Sequence, residues 1–250
     1  MSPLSPRRKV LWSRWLVTLA ALLAMAGTAR LGWWQLQRAD TKEALHQRTL
    51  QQSALPPLQA LELASTEADA QAQHHRKVEL SGQWLGRHTL WLDNRQMDGR
   101  PGFFMLTPML LDDGSAVLVQ RGWAPRRLDD RTHLPEVSTP AGRVALTGRV
   151  AGPPSRLYEP NPPSGAAPGP IRQNVDMAAL ATELGRPLRP LSVVQLDTAP
   201  GEPADGLRRQ WWVPAADVHK HWGYAAQWFA LSALVAGLYV WFQFIAPRRR

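Results

Sequence analysis

The residues best suited to chemistry are His219, Lys220 and His221, which stand where the chain turns into its last apolar stretch, followed by Trp222, Tyr224 and Trp228. A neutral imidazole at a membrane boundary, beside aromatic faces, suits an axial ligand for a haem. The haem ring is lipophilic and its propionates need the wet side. If the helix already includes His221, offsets of three and seven residues put Tyr224 and Trp228 on the same face, with His219 near the loop. The plainer reading is that His221 anchors the helix at headgroup level, as Trp and Tyr do.

Trp34, Gln35 and Arg38 repeat this situation at the other boundary. Arg38 suits a propionate, a lipid phosphate or a domain contact. Arg121, Gly122 and Trp123 end a predicted strand, where Arg121 is a second candidate for a propionate. Gly122 there either lets a backbone approach closely or allows a bulge. His74 and His75 fall in a connector and are expected to be solvated; His88 and His133 read as surface strand and loop residues. There is no nucleophile elbow, phosphate loop, dinucleotide fingerprint or zinc-protease helix motif. With zero cysteines, a disulfide scaffold, thiolate metal sites and a cysteine nucleophile are excluded. No nucleophile–base pairing stands out, so the chain is expected not to be an enzyme.

Two uncharged apolar stretches must position these boundary residues. The first covers residues 16–29, behind Arg7, Arg8, Lys9 and Arg14; the second covers residues 222–246, ahead of Arg248, Arg249 and Arg250. A span needs roughly 20 mostly apolar residues. The second stretch meets this, and the first does so if Arg14 or Arg30 snorkels to an interface. Basic flanks stay on the cytoplasmic side, so both termini are expected in the cytoplasm and the middle outside. Those seven flanking cations supply most of the net charge of +9, leaving +2 for the rest. The basic balance therefore reports topology rather than a nucleic-acid surface. Seven of the twelve tryptophans lie at or within the two stretches, where an indole keeps its ring apolar and its N–H wet.

An alternative for the first stretch is a cleaved signal peptide, with Ala24, Met25 and Ala26 as its cleavage site. Apolar character continues past that site through Leu31, Trp33 and Trp34, which favours a retained anchor. No long Arg- and Ser-rich presequence precedes it, which favours a bacterial inner membrane over an organelle. The expected division is a cytoplasmic tail 1–9, a transmembrane helix 10–34, a periplasmic domain 35–221, a transmembrane helix 222–245 and a cytoplasmic tail 246–250.

Between the spans, residues 36–52 are polar and continue the first helix until Pro56 and Pro57 stop it. Residues 58–72 read as a loosely helical connector. Strand-like runs follow from residue 76, over 88–94, 103–111, 116–120, 143–150 and 190–196, with 103–111 and 116–120 joined as a hairpin through Asp112, Asp113, Gly114 and Ser115. Residues 153–170 form a Pro- and Gly-rich excursion. Asn174 is the expected N-cap of one short helix that Gly185 and Pro187 end. The expected class is α+β: two terminal transmembrane helices flanking a mostly antiparallel β extramembrane domain with one short helix.

Four groups of residues carry a family resemblance. The run Leu31, Gly32, Trp33, Trp34, Gln35, Leu36, Gln37, Arg38 resembles the L-G-x-W-Q-x-x-R signature of the surfeit locus protein 1 family. Leu118 to Trp123 is similar to its V-N-R-G-W, with Gln120 in place of the usual Asn. Gln173 to Asp176 fits its helix start, and His221 to Phe229 is similar to its H-x-x-Y-A-x-x-W-F. The order and spread of these motifs cover essentially the whole chain. The resemblance implies a non-enzymatic, multi-pass inner-membrane assembly factor for haem–copper cytochrome c oxidase, acting while haem a is placed into subunit I. It implies His221 as the haem-iron ligand, and Gly32, Trp34, Gln35, Arg38, Arg121, Gly122, Trp123, Tyr224 and Trp228 are further motif positions; by their chemistry Tyr224 and Trp228 are the candidates to pack the porphyrin, and Arg38 or Arg121 to meet a propionate. The implied partners are oxidase subunit I, the lipid bilayer and, as a further candidate, haem a synthase; no nucleic acid is implied. A scaffold that holds subunit I without touching haem is the alternative, and a membrane-anchored periplasmic enzyme is a third reading.

Overall fold

The computed structural model describes residues 6–127, 129–159, 169–196, 205–211 and 218–246. The elements run α1 (Pro6–Ala54), β1 (Leu58–Gln59), α2 (Glu67–Ala72), β2 (Lys77–Trp84), β3 (Leu90–Met97), β4 (Arg100–Leu110), β5 (Ala116–Pro125), β6 (Arg143–Ala151), β7 (Ile171–Arg172), α3 (Met177–Leu184), β8 (Leu188–Gln195) and α4 (Val218–Val240). A π-helical turn, Trp241–Ile245, extends α4. The chain divides into two compact units: residues 1–48 with 213–250, and residues 49–212.

The first unit is a helix pair. Helix α1 holds 49 residues, a rise of about 74 Å, against a hydrocarbon core of about 30 Å. Only its apolar part matches a bilayer, and the polar residues 36–52 continue it beyond, as the sequence suggests. It ends at Ala54, just before Pro56 and Pro57, which cannot extend it. Both helices are long and apolar enough to cross a membrane.

The two helices run antiparallel, and the α1 contact positions Thr18, Met25 and Gly32 recur every seven residues. Thr18 Oγ1 lies 2.9 Å from Tyr239 Oη, and Ser232 Oγ donates to the Met25 carbonyl at 3.2 Å. The Phe229 ring sits against Gly32, where an added Cβ would come within 2.9 Å of it. Gln35 meets His221. The less exposed positions of α1 fall at Thr18, Ala21, Met25, Thr28, Gly32 and Gln35; those of α4 fall at His221, Ala225, Trp228, Ser232, Val235 and Tyr239. Alternating steps of three and four residues are the seam of a left-handed helix pair. The seam is small and polar, while Leu16, Leu19, Leu22, Leu23, Leu231, Leu234 and Leu238 point outward and stay exposed. Small residues let the backbones approach and hydroxyls bond across, the packing logic of helices in lipid.

The second unit is built on one mixed sheet of order β1-β2-β6-β8-β5-β4-β3-β7, in which β2 also pairs with β4. That extra pairing, Gln83 with Leu110 and Trp84 with Met109, closes a ring of β2, β6, β8, β5 and β4. Val78, Leu80, Met109, Val117, Val119, Val150, Leu191 and Val193 alternate inward from these strands into one apolar core. The hairpin of β4 and β5 through residues 111–115 forms as expected. Most pairings are antiparallel, as expected, but the sheet is mixed: β8 runs parallel to its neighbour β5, and the short β1 and β7 also pair in parallel. Local hairpin spacing cannot foresee this: residues 126–187 intervene between β5 and β8, long enough to return the chain in the same direction.

Three smaller expectations also change. The connector 58–72 is no loose helix. It holds β1, a 3-10 turn (Ala60–Glu62) and α2, and its Leu58, Leu63, Ala64 and Ala70 join the core. The domain therefore carries two short helices rather than one. Asn174 does not cap α3; Asp176 does, accepting from the Ala178 and Ala179 amides. Asn174 instead clasps the Leu157 backbone, with its amide donating to the carbonyl and its oxygen accepting from the N–H. Of the Pro-rich excursion, residues 160–168 lie outside the described residues. Described residue Pro154 is buried and Leu157 half-buried.

Candidate functional site

The first and last motifs meet in the helix pair. Helix α4 begins at Val218, so His221 lies in its first turn and shares the helix with Tyr224 and Trp228. His219 is the second residue of the helix, near its start as expected, and exposed. His221 Nδ1 lies 2.8 Å from Gln35 Oε1, 186 residues away in sequence. An amide oxygen has no proton to give, so the imidazole donates and Nε2 is left for another partner. His221 and Trp228 are half-buried along the seam, and Tyr224 is exposed on its flank.

Arg38 lies one turn beyond Gln35 on the same side of α1. It is exposed, and among the described residues it has no hydrogen bond or carboxylate partner in reach. Trp33 and Trp34 stand exposed beside it. A groove of about 690 Å³ runs along α1 over Gly27, walled by Leu23, Leu31, Trp34 and Arg30. It lies on the side of α1 away from the seam.

The middle motif does different work. Arg121 is 3% exposed. Its guanidinium donates to Thr139 Oγ1 at 2.7 Å and to the Ser138 carbonyl at 2.9 Å. It also lies 3.8 Å from Asp205 and 4.9 Å over the Trp84 ring. Burial pushes its pKa below the ordinary value, and Asp205 partly offsets this. A guanidinium so engaged is not free for a propionate, which removes Arg121 from the ligand set. Trp123 is fully buried and its indole N–H donates to the Arg95 carbonyl at 2.9 Å. Its backbone pairs with Arg208. Gly122 is needed for close approach, since a Cβ there would lie 2.6 Å from Leu207 Cβ. Arg121, Gly122 and Trp123 thus clasp residues 205–208 against β5. The bulge in β5 falls at Arg121 itself, opposite Met105 and Leu106. Gln120, where an Asn is usual, donates to Ser192 Oγ at 2.8 Å, and Ser192 donates to the Gly152 carbonyl. The amide thus ties β5 to β8.

His74 and His75 are not solvated as expected. Both are half-buried, and the His75 backbone sits at a φ of 71° with its N–H on the Val150 carbonyl. Burial lowers both pKa values, and Arg149 adds to this for His75. His88 lies 3.7 Å from Glu183.

Among the described residues, no three or more His, Asp or Glu side chains gather as a metal cage. A lone imidazole whose Nδ1 is engaged and whose Nε2 has no partner among the described residues would instead suit a metal that arrives already held in a macrocycle such as haem. His221 fits that role, with Arg38 as the nearby unpaired cation. The partners of the clasp, Trp84, Arg95, Thr139, Asp205 and Leu207, escaped sequence reasoning. The meeting of Gln35 with His221 escaped it too, although the seven-residue recurrences Thr18, Met25, Gly32 and Ala225, Ser232, Tyr239 carried a signal.

The sequence model of the SURF1 family matches residues 22–233. A SURF1-like protein of Dictyostelium discoideum is 30% identical over 100 residues, covering 38% of this chain and 37% of that one. The cytochrome oxidase assembly protein SHY1 of Saccharomyces cerevisiae is 32% identical over 94 residues, covering 37% and 24%. A SURF1-like protein of the bacterium Rickettsia felis is 31% identical over 111 residues, covering 44% and 46%. The matched stretch thus spans less than half the length of these curated relatives. The family match runs unbroken from within α1 to within α4 and takes in all four motifs, so the chain belongs to the SURF1 family.

Proposed function

We propose that this protein is a membrane-anchored assembly factor for haem–copper cytochrome c oxidase, assisting the placement of haem a into subunit I. The observation that carries the haem part is His221: a half-buried imidazole at the start of α4, its Nδ1 proton held by Gln35 and its Nε2 lone pair uncommitted. Family membership and the name of the yeast relative support the oxidase part. A bound haem would supply a redox-active iron. The chain's own residues would bind and orient it: His221 as axial donor, Tyr224 and Trp228 against the porphyrin face, and Arg38 for a propionate. The reading is one of binding and hand-over, not of catalysis.

Polar seam and apolar outer faces support anchoring of both helices in a bacterial inner membrane. The basic flanks support cytoplasmic termini and a periplasmic domain. A reporter active only in the periplasm should give signal when fused at Ser164 and none at Arg250; the reverse pattern contradicts this topology.

The deciding experiment has two parts. A deletion strain should lose oxidase haem a and cytochrome c oxidation while other respiratory complexes stay intact. The purified protein should carry a haem absorbance band that His221→Ala removes without affecting membrane insertion, with His219→Ala milder. A band retained in His221→Ala, or no band beside a real oxidase defect, passes the function to a scaffold that holds subunit I. Haem a synthase is a candidate partner, tested by co-purification.

A further inference from the structure

We propose that Gln35 is the positioning residue of His221: it holds the imidazole as the Nδ1–H tautomer and so keeps the Nε2 lone pair ready for a metal. The contact joins the first motif of the chain to the last, across 186 residues of sequence and 2.8 Å of space. This inference rests on the haem reading of His221.

Three observations carry it. First, the roles at the contact are fixed by chemistry. The atom of Gln35 that faces His221 is the amide oxygen, which only accepts, so Nδ1 carries the proton. Neutral imidazole has one proton to place, and placing it on Nδ1 leaves Nε2 bare. Second, Gln35 is the one hydrogen-bond partner of His221 among the described residues, and no carboxylate lies within ion-pair distance of the ring. Nothing else there specifies the tautomer. Third, Gln35 does not stand on a loop. It belongs to the α1 seam, one turn from Gly32, which packs against Phe229 of α4. Met25 and Ser232, then Thr18 and Tyr239, continue the register beyond. The helix pair therefore sets where the amide oxygen stands, and the amide sets how the ring is turned. Metal-bound histidines commonly donate their second N–H to an oxygen in this way, which orients the ring and raises its basicity.

The tautomer can be read before any haem is added. In full-length protein in lipid nanodiscs with nitrogen-15 histidine, long-range proton–nitrogen spectra should show His221 protonated on Nδ1. Gln35→Leu should release it toward the Nε2–H form that an unconstrained histidine side chain prefers, and Gln35→Glu should restore Nδ1–H because a carboxylate accepts the same proton. With haem added, Gln35→Leu should weaken binding by about 10- to 100-fold. Gln35→Glu should retain binding and shift the haem reduction potential downward, since a carboxylate makes the imidazole a stronger donor. A purely structural role for Gln35 would not give this reversal between Leu and Glu. An Nε2–H His221 in the wild type, or a tautomer unmoved by Gln35→Leu, overturns the positioning role whatever haem does. Haem binding indifferent to His221→Ala overturns the haem reading instead, even with the tautomer as described.

Discussion

The two units solve opposite packing problems with the same residue types. In residues 49–212, leucine and valine fill the barrel, and arginines reach the surface or find partners inside it. In the helix pair, Thr18, Gly32, Gln35, His221 and Ser232 line the seam with Trp228, while the leucines named above and the other tryptophans face outward. Water drives leucine inward in the second unit, and the outward leucines of the pair match the packing expected of helices in lipid, where burying leucine gains little and close backbone approach is rewarded. The motifs divide along the same line. The middle motif serves the barrel as a clasp, and the first and last motifs meet in the helix pair.

The largest expected effect breaks the barrel side. Trp123→Ala removes a fully buried indole and its bond to the Arg95 carbonyl. About 3–5 kcal/mol of domain stability should be lost, measured by denaturant unfolding of the full chain in detergent. A loss below about 1 kcal/mol would mean that the clasp carries no weight.

Next comes the outward face of the pair. Leu22→Lys at an exposed α1 position should cost about 2.5–3.5 kcal/mol of membrane insertion. The same change on a water-facing helix would stay within about 0.5 kcal/mol. Insertion efficiency of the first helix in a translocation assay separates the two solvents directly.

Smaller still is the seam. Ser232→Ala deletes a bond to the Met25 carbonyl. It should weaken pairing by about 0.6 kcal/mol, the average for polar contacts between helices in a bilayer. Association of separately expressed α1 and α4 fragments in micelles reports it, and an unchanged association would say that the pair is held by close packing alone.

The subtlest test is a slope with pH. His74 and His75 have folded pKa values lowered by burial from an ordinary 6.5. The unfolded chain then takes up protons first as pH falls. Domain stability should be complete above the ordinary value and decline as pH drops through 6.5 toward the folded values. His75→Asn suits the positive φ at that position and cannot titrate, so it should flatten the decline. A slope unchanged in His75→Asn would leave His74 as its source.

Sequence alone determined what depends on local pattern. Apolar length and basic flanks marked the two helices, and Pro56 and Pro57 marked where α1 stops. Alternation marked most strands, and the turn at residues 112–115 marked the hairpin, because period and turn chemistry are properties of neighbours in the chain. His221 was legible as an imidazole among aromatics at the start of the last helix. Only the tertiary structure decided what depends on distant partners. The parallel pairing of β5 with β8 and the closure of β2 on β4 join strands with no local reason to meet. Asp176 wins the helix cap because Asn174 is taken by the Leu157 backbone. Arg121 passes from candidate ligand to clasp because Ser138, Thr139 and Asp205 converge on it. Gln35 and His221 meet for the same kind of reason. A hydrogen bond needs its two atoms about 3 Å apart, and no pattern along one helix says which residue of another helix will stand there.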